Sequence, residues 1–76
     1  MKELKDKFII TFPSTTQAMA MESFCQSNNV PGRLIPVPTQ ISAGCGLCWC
    51  AEPDDEGSCR AALSEGKIEY EDCVRI

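Results

Sequence analysis

Pro36 is the most restrictive residue of this chain. It sits inside Arg33-Leu34-Ile35-Pro36-Val37-Pro38, a run that otherwise reads as a β-strand. A proline has no N–H to give to a ladder, so a strand that contains one belongs at the edge of a sheet. Two other runs carry no such mark. Phe8-Ile9-Ile10-Thr11-Phe12 is rich in β-branched and aromatic residues and is stopped by Pro13, and Leu47-Cys48-Trp49-Cys50-Ala51 is short and apolar. Lys67 to Ile76 is expected as a last strand, with Ile68, Tyr70, Val74 and Ile76 in one register that Asp72 interrupts.

Two helices fall between these strands. Ser14 reads as an N-cap, and Gln17 three residues on completes a capping-box pattern. Ala18, Met21, Phe24 and Cys25 then recur at helical spacing and make one apolar stripe, ending near Ser27-Asn28-Asn29 before a Pro31-Gly32 turn. The second helix follows Pro53-Asp54-Asp55-Glu56-Gly57, whose acids suit the positive end of a helix dipole and otherwise face solvent. Its expected buried residues are Cys59, Ala62 and Leu63, and Gly66 is the expected C-cap.

The element order is therefore β-α-β-β-α-β, expected as a single domain over residues 1–76. The economical packing is α+β and ferredoxin-like, a four-stranded antiparallel sheet with both helices on one face. Right-handed crossovers give the strand order 4-1-3-2 and leave the second strand at an edge, in agreement with Pro36.

Size and charge exclude several functions. Seventy-six residues are too few for a barrel enzyme or a two-domain dinucleotide enzyme. A net charge of −4 repels phosphate backbones, so nucleic acid is not an expected partner. The longest apolar run, Phe8 to Ile10 extended to Phe12, is too short to span a bilayer or to serve as an export signal. The expectation is a cytoplasmic protein with no membrane contact.

Six cysteines and no histidine are the unusual part of the composition. Without histidine, mixed Cys/His zinc sites and histidine-based catalytic triads are excluded. Cys45, Cys48 and Cys50 lie within six positions, and in a reducing compartment such a cluster points to thiol or metal chemistry rather than to a disulfide framework. The fold gives the first of them a setting. The loop Pro13-Ser14-Thr15-Thr16 and the loop with Gly44-Cys45-Gly46 share one end of the molecule. The first turn of helix 1 would then aim its free N–H groups toward Cys45 and favour its thiolate. Lys67 belongs to the same end. Gly44 and Gly46 leave the Cys45 sulfur open.

Cys45-Gly46-Leu47-Cys48 is a C-x-x-C, a spacing shared by dithiol redox motifs and metal sites. Cys48 and Cys50 share one face of their strand, while Leu47, Trp49 and Ala51 take the other. Cys48 reads either as a resolving thiol or as a small strand residue, and Cys50 as structural. Cys25, Cys59 and Cys73 read as small buried hydrophobes. Trp49 reads as sheet packing.

Phe12-Pro13-Ser14-Thr15-Thr16-Gln17-Ala18, Glu22, Arg33 to Pro38 and Ile41-Ser42-Ala43-Gly44-Cys45-Gly46 resemble the small bacterial DUF3343 family, labelled "putative Se/S carrier protein-like". The resemblance covers roughly Phe8 to Ala51. It implies that the Cys45-Gly46 pair is the central motif and that the cargo is sulfur or selenium.

Four functions compete at this stage. A carrier would hold a persulfide or selenopersulfide on Cys45, with Cys48 releasing it, and would need donor and acceptor proteins but no resident cofactor. It would be a carrier more than a stand-alone enzyme. A soft-metal module would use Cys45, Cys48 and Cys50 for Cu(I), Zn²⁺ or an iron–sulfur cluster. A plain dithiol oxidoreductase and an interaction adaptor are the others. The edge of the second strand could also pair two copies.

Overall fold

The computed structural model describes residues 7–38 and 46–75. Strand β1 is Phe8–Thr11, helix α1 Thr15–Asn28, strand β2 Arg33–Pro36 and strand β3 Leu47–Ala51. A 3₁₀ turn, Pro53–Asp55, leads into helix α2, Glu56–Glu65, and strand β4 is Asp72–Arg75. The sheet order is β2-β3-β1-β4, and every neighbouring pair is antiparallel. This is the expected order read from the other edge, with Pro36 on an outer strand.

The sheet divides the molecule. On one face Phe8, Ile10, Trp49 and Ala51 join Ala18, Met21 and Cys25 of α1 and Cys59, Ala62 and Leu63 of α2 in the main core. On the other face Ile9, Cys48 and Cys50 form a second buried cluster, with Ile35, Val37 and Val74 packed around it. Both helices thus cover the same side. Alternation along β1 and β3 assigns each residue to its side without exception.

The helix ends follow their local chemistry. Ser14 is extended and its hydroxyl accepts the Gln17 N–H at 3.4 Å, as an N-cap should. The reciprocal half of the capping box is not made. The Gln17 side-chain carbonyl instead accepts the Glu69 N–H at 3.0 Å and ties α1 to the segment before β4. At the far end Asn29 adopts a left-handed φ of 57°, and the Val30 N–H reaches back to the Cys25 carbonyl.

Helix α2 ends where expected, at Gly66. Gly66 is the C-cap but stays right-handed, and Lys67 takes the left-handed position with φ 52°. The Ile68 N–H bonds the Leu63 carbonyl and the Lys67 N–H the Ser64 carbonyl, the paired bonds of a Schellman turn. Gly66 is needed for space. A Cβ there would lie 3.0 Å from the Ala62 carbonyl, Ile68 and Phe24.

That turn also corrects the expected last strand. Ile68 is drawn into the helix-side core and Tyr70 is exposed, so neither belongs to a continuous strand register. Only Asp72–Arg75 pairs with β1, with Val74 on the helix-free side and Cys73 on the helix side. Ile76 lies outside the described residues. At this outer edge the Asp72 carboxylate accepts the Cys73 N–H at 2.8 Å, which occupies a donor that would otherwise invite another strand.

Candidate functional site

The chain reverses direction three times at one end of the sheet. Thr11 pairs with Cys48 and with Asp72, and Pro36 pairs with Leu47. The end of β1, the cap of α1, the end of β2, the start of β3 and the entry to β4 therefore share that end. Ser14, Thr15 and Thr16 are exposed at this end, and so is Lys67. The same segment as Lys67 also carries Glu69, Glu71 and Asp72, all exposed, so acids outnumber the cation.

Gly44 and Cys45 lie outside the described residues. Their anchor on the C-terminal side does not. Gly46 is exposed, has φ +81°, and its carbonyl accepts the Val37 N–H at 3.0 Å. This bond closes the β2–β3 connection immediately after Cys45. A Cβ at Gly46 would meet nothing within 4 Å, so the glycine answers to its backbone conformation and not to crowding.

Cys48 and Cys50 project from the helix-free face of β3, and Trp49 from the other, as the alternation requires. Cys48 is fully buried and Cys50 is 8% exposed. Two residues apart on a strand, their Cα atoms are separated by about 7 Å with parallel Cβ directions, a geometry that does not close a disulfide between them. Across the ladder Cys48 faces Thr11 and Ile35, and Cys50 faces Ile9 and Arg33. Burial pushes the Cys50 thiol up, and the charges of Lys7 and Arg33 pull against it. Lys7 is itself paired with Glu52.

The other thiols belong to the helix side. Burial, reinforced by the neighbouring Cys59, pushes Cys25 up from 9.0 to about 11. Cys59 is raised by burial and partly relieved by the Trp49 indole. Its sulfur and the indole N–H both donate to the Pro31 carbonyl, at 3.7 and 3.3 Å. Cys73 is raised by burial, with Arg60 opposing. None of these settings activates a thiol, which fits their reading as small hydrophobes.

Among the described residues, no three cysteine, aspartate or glutamate side chains converge as a metal site would need. No described helix is long and apolar enough to cross a membrane.

The model of a family described as "Putative Se/S carrier protein-like" matches residues 7–75. The chain belongs to this family. The match extends the resemblance beyond Ala51, and its span takes in all four strands and both helices. No curated protein and no solved structure matches the chain.

Two contributors near the site escaped the sequence. Thr11 is buried opposite Cys48, and its signal was the strand pairing, which sets it on the cysteine face. Lys7, just before β1, and Arg33 of β2 act on Cys50, a grouping that only the register brings together.

Proposed function

We propose that this protein carries sulfur or selenium as a persulfide or selenopersulfide on Cys45, with Cys48 as the resolving thiol, in a reducing cytoplasm. The observation that carries the reading is the family match across residues 7–75. The local geometry supports it. Cys45 directly precedes a glycine held in a left-handed conformation and pinned by the Val37 N–H, at the same end as the capped start of α1. Gly44, Gly46, Ser14, Thr15 and Thr16 are the supporting residues in this reading.

The chemistry runs in two steps. The Cys45 thiolate attacks the sulfane sulfur of a donor's persulfide and takes that sulfur, and the donor leaves as a thiolate. Cys48 then attacks the Cys45 sulfur. The bond from Cys45 to the cargo breaks, a Cys45–Cys48 disulfide forms, and the cargo leaves as sulfide or selenide with the Cys48 proton. The cargo atom is reduced by two electrons and the two thiols are oxidised by the same two. A thiol reductant resets the pair. Donor and acceptor are proteins that dock on this small acidic body.

Intact-mass measurement on protein purified without air, reductant or chelator tests the proposal. The expected result is a gain of one sulfur or selenium atom that maps to Cys45 and is lost on adding thiol. Cys45→Ser abolishes loading, and Cys48→Ser loads but does not release. Loading that survives in Cys45→Ser overturns the assignment. A metal-sized gain lost on acidification would favour the three-thiolate metal module instead.

A further inference from the structure

We propose that Lys67 is kept at its position for its charge, as the cation that draws anionic sulfur or selenium species to the Cys45 end of the molecule. This role rests on the carrier reading above, in which the thiolate and its cargo are both anions.

Three observations lead to it. First, the backbone at Lys67 is left-handed, with φ 52°. That conformation is unfavourable for a residue with a Cβ, and the position just past a helix end is the one most often given to glycine. The two helices differ here. Helix α1 ends on Asn29 with φ 57°, a residue type that tolerates the left-handed region. Helix α2 is followed by a lysine in the same conformation, although a glycine stands one residue earlier. The backbone alone does not account for that choice.

Secondly, the Lys67 ammonium is exposed and uncommitted. Lys7 pairs with Glu52, and Arg60 and Arg75 pair with Glu56. Arg33 acts on Cys50. Lys67 makes no ion pair and no side-chain hydrogen bond among the described residues, although Glu65, Glu69, Glu71 and Asp72 follow or precede it closely in the chain. The bonds that close the end of α2 come from the backbone N–H groups of Lys67 and Ile68, not from the ammonium.

Thirdly, the turn is fixed to the end of the sheet where the carrier cysteine's connection is anchored. The Glu69 N–H bonds the Gln17 side chain in the first turn of α1, and the Glu71 N–H bonds the Thr11 carbonyl at the end of β1. Gly46, the residue after Cys45, is joined to Val37 at that same end. The other described cations stand at the opposite end. Lys7 precedes Phe8, Arg75 pairs with Phe8, Arg60 lies over its ring, and Arg33 pairs with Cys50. An unpaired charge steers anions within about a Debye length, and here it opposes the repulsion of the surrounding acids.

Lys67→Gly, Lys67→Gln and Lys67→Arg, each compared with wild type, test the proposal in two ways. The first is alkylation of Cys45 by iodoacetate and by iodoacetamide, mapped by peptide mass. The ratio of the two rates reads the local charge, cancels changes in thiol ionisation, and needs no sulfur transfer. At low ionic strength it should fall about threefold in Lys67→Gly and Lys67→Gln, hold in Lys67→Arg, and differ less as salt is added. The second is thermal melting. Lys67→Gly relieves the left-handed backbone and should melt a few degrees higher than wild type. Loading from inorganic polysulfide should slow in step with the alkylation ratio. In that reaction the Cys45 thiolate takes a terminal sulfur, one polysulfide S–S bond breaks as the persulfide bond forms, and the shortened polysulfide leaves as a dianion. A ratio unchanged in all three variants overturns the inference. So does a Lys67→Gly protein that melts lower than wild type, since the lysine would then serve the helix end. Wild type that takes no sulfur at Cys45 overturns the carrier reading, and the alkylation ratio still judges Lys67.

Discussion

The two faces of the sheet are built from the same strands but do different work. The helix-covered face presents Phe8, Ile10, Trp49 and Ala51 to two helices and fills with large apolar side chains. The helix-free face presents Ile9, Thr11, Cys48 and Cys50, smaller and more polar, with Lys7 and Arg33 at the margin of Cys50. A strand alternates its residues between the two, so β3 places Trp49 in the core and a thiol on either side of it on the opposite face. The large apolar core is concentrated on one side, and Cys48 and Cys50 are on the other. The division also sorts the five described cysteines, all of them free: Cys25 and Cys59 pack as core, Cys73 lies half-buried at its margin, and Cys48 and Cys50 lie on the opposite face.

The largest effect should come from truncating the helix face. Trp49→Ala removes the biggest buried side chain and its hydrogen bond to the Pro31 carbonyl, and should cost about 3–5 kcal/mol in urea denaturation. Cys48→Ala and Cys50→Ala should each cost about 1 kcal/mol, the scale of one buried methylene. Costs that are equal across the faces would break the division.

Two glycines sharpen the same contrast. Gly32 has φ +124°, and a Cβ there would fall 2.4 Å from the Trp49 indole nitrogen and 2.9 Å from the Cys50 carbonyl. Gly32→Ala therefore combines backbone strain with a clash against the core and should cost roughly 3 kcal/mol, visible as a shift in the emission of the single tryptophan. Gly46→Ala meets only the backbone penalty, about 1 kcal/mol, because its side chain would enter open space. If the carrier reading holds, Gly46→Ala should still impair loading at Cys45 more than Gly32→Ala does, although it unfolds the protein less. Thermal melts and intact-mass loading of the same two variants decide it.

Pro36 and the stop at Pro13 made the sheet order legible, because each residue has a steric meaning that tertiary context does not override. The Ser14 cap and the stripe Ala18, Met21, Cys25 were legible for the same reason. Gln17 was misleading. Its side chain had two acceptable partners, and the longer-range one, the Glu69 N–H, won. The extent and register of the last strand failed because Ile68 belongs to the Schellman turn while Val74 belongs to β4, and a shared parity has meaning only within one strand. The cysteine cluster was legible as a motif. The cations around Cys50 and the hydroxyl opposite Cys48 were not, because register across strands brings them together from distant positions.

The pH dependence of stability reports the burial of the helix-face thiols. Cys25 is protonated in the fold up to about 11, whereas its ordinary value is 9.0. Between these values the unfolded chain has lost the proton that the folded chain keeps. Stability is therefore complete below about pH 9 and falls as pH rises through about 11. Cys59 and Cys73 are raised in the same direction and add to the fall. Urea midpoints measured across this range should decline in wild type and decline less steeply in Cys25→Ala, since alanine has no proton to keep. An unchanged slope would mean that the α1 thiol is not held in the core.

The smallest effect belongs to the margin of the helix-free face. Cys50 is raised by burial, but Lys7 and Arg33 both favour its thiolate. Arg33 is directly opposite in the ladder and exposed to solvent, so its field reaches Cys50 partly through water. Arg33→Glu replaces attraction by repulsion and should slow modification of Cys50 by a neutral alkylating reagent a few-fold at neutral pH, mapped by peptide mass. Salt should shrink the difference, because an exposed charge is screened within a Debye length of about 8 Å at physiological ionic strength. Arg33→Gln should give about half the effect. Cys25 is the internal control: buried on the core side of α1 and not shifted by Arg33, it should react at one slow rate in all three proteins. A change at Cys25 as large as that at Cys50 would mean that the substitution loosens the whole fold, and the two faces would then not be separable by charge.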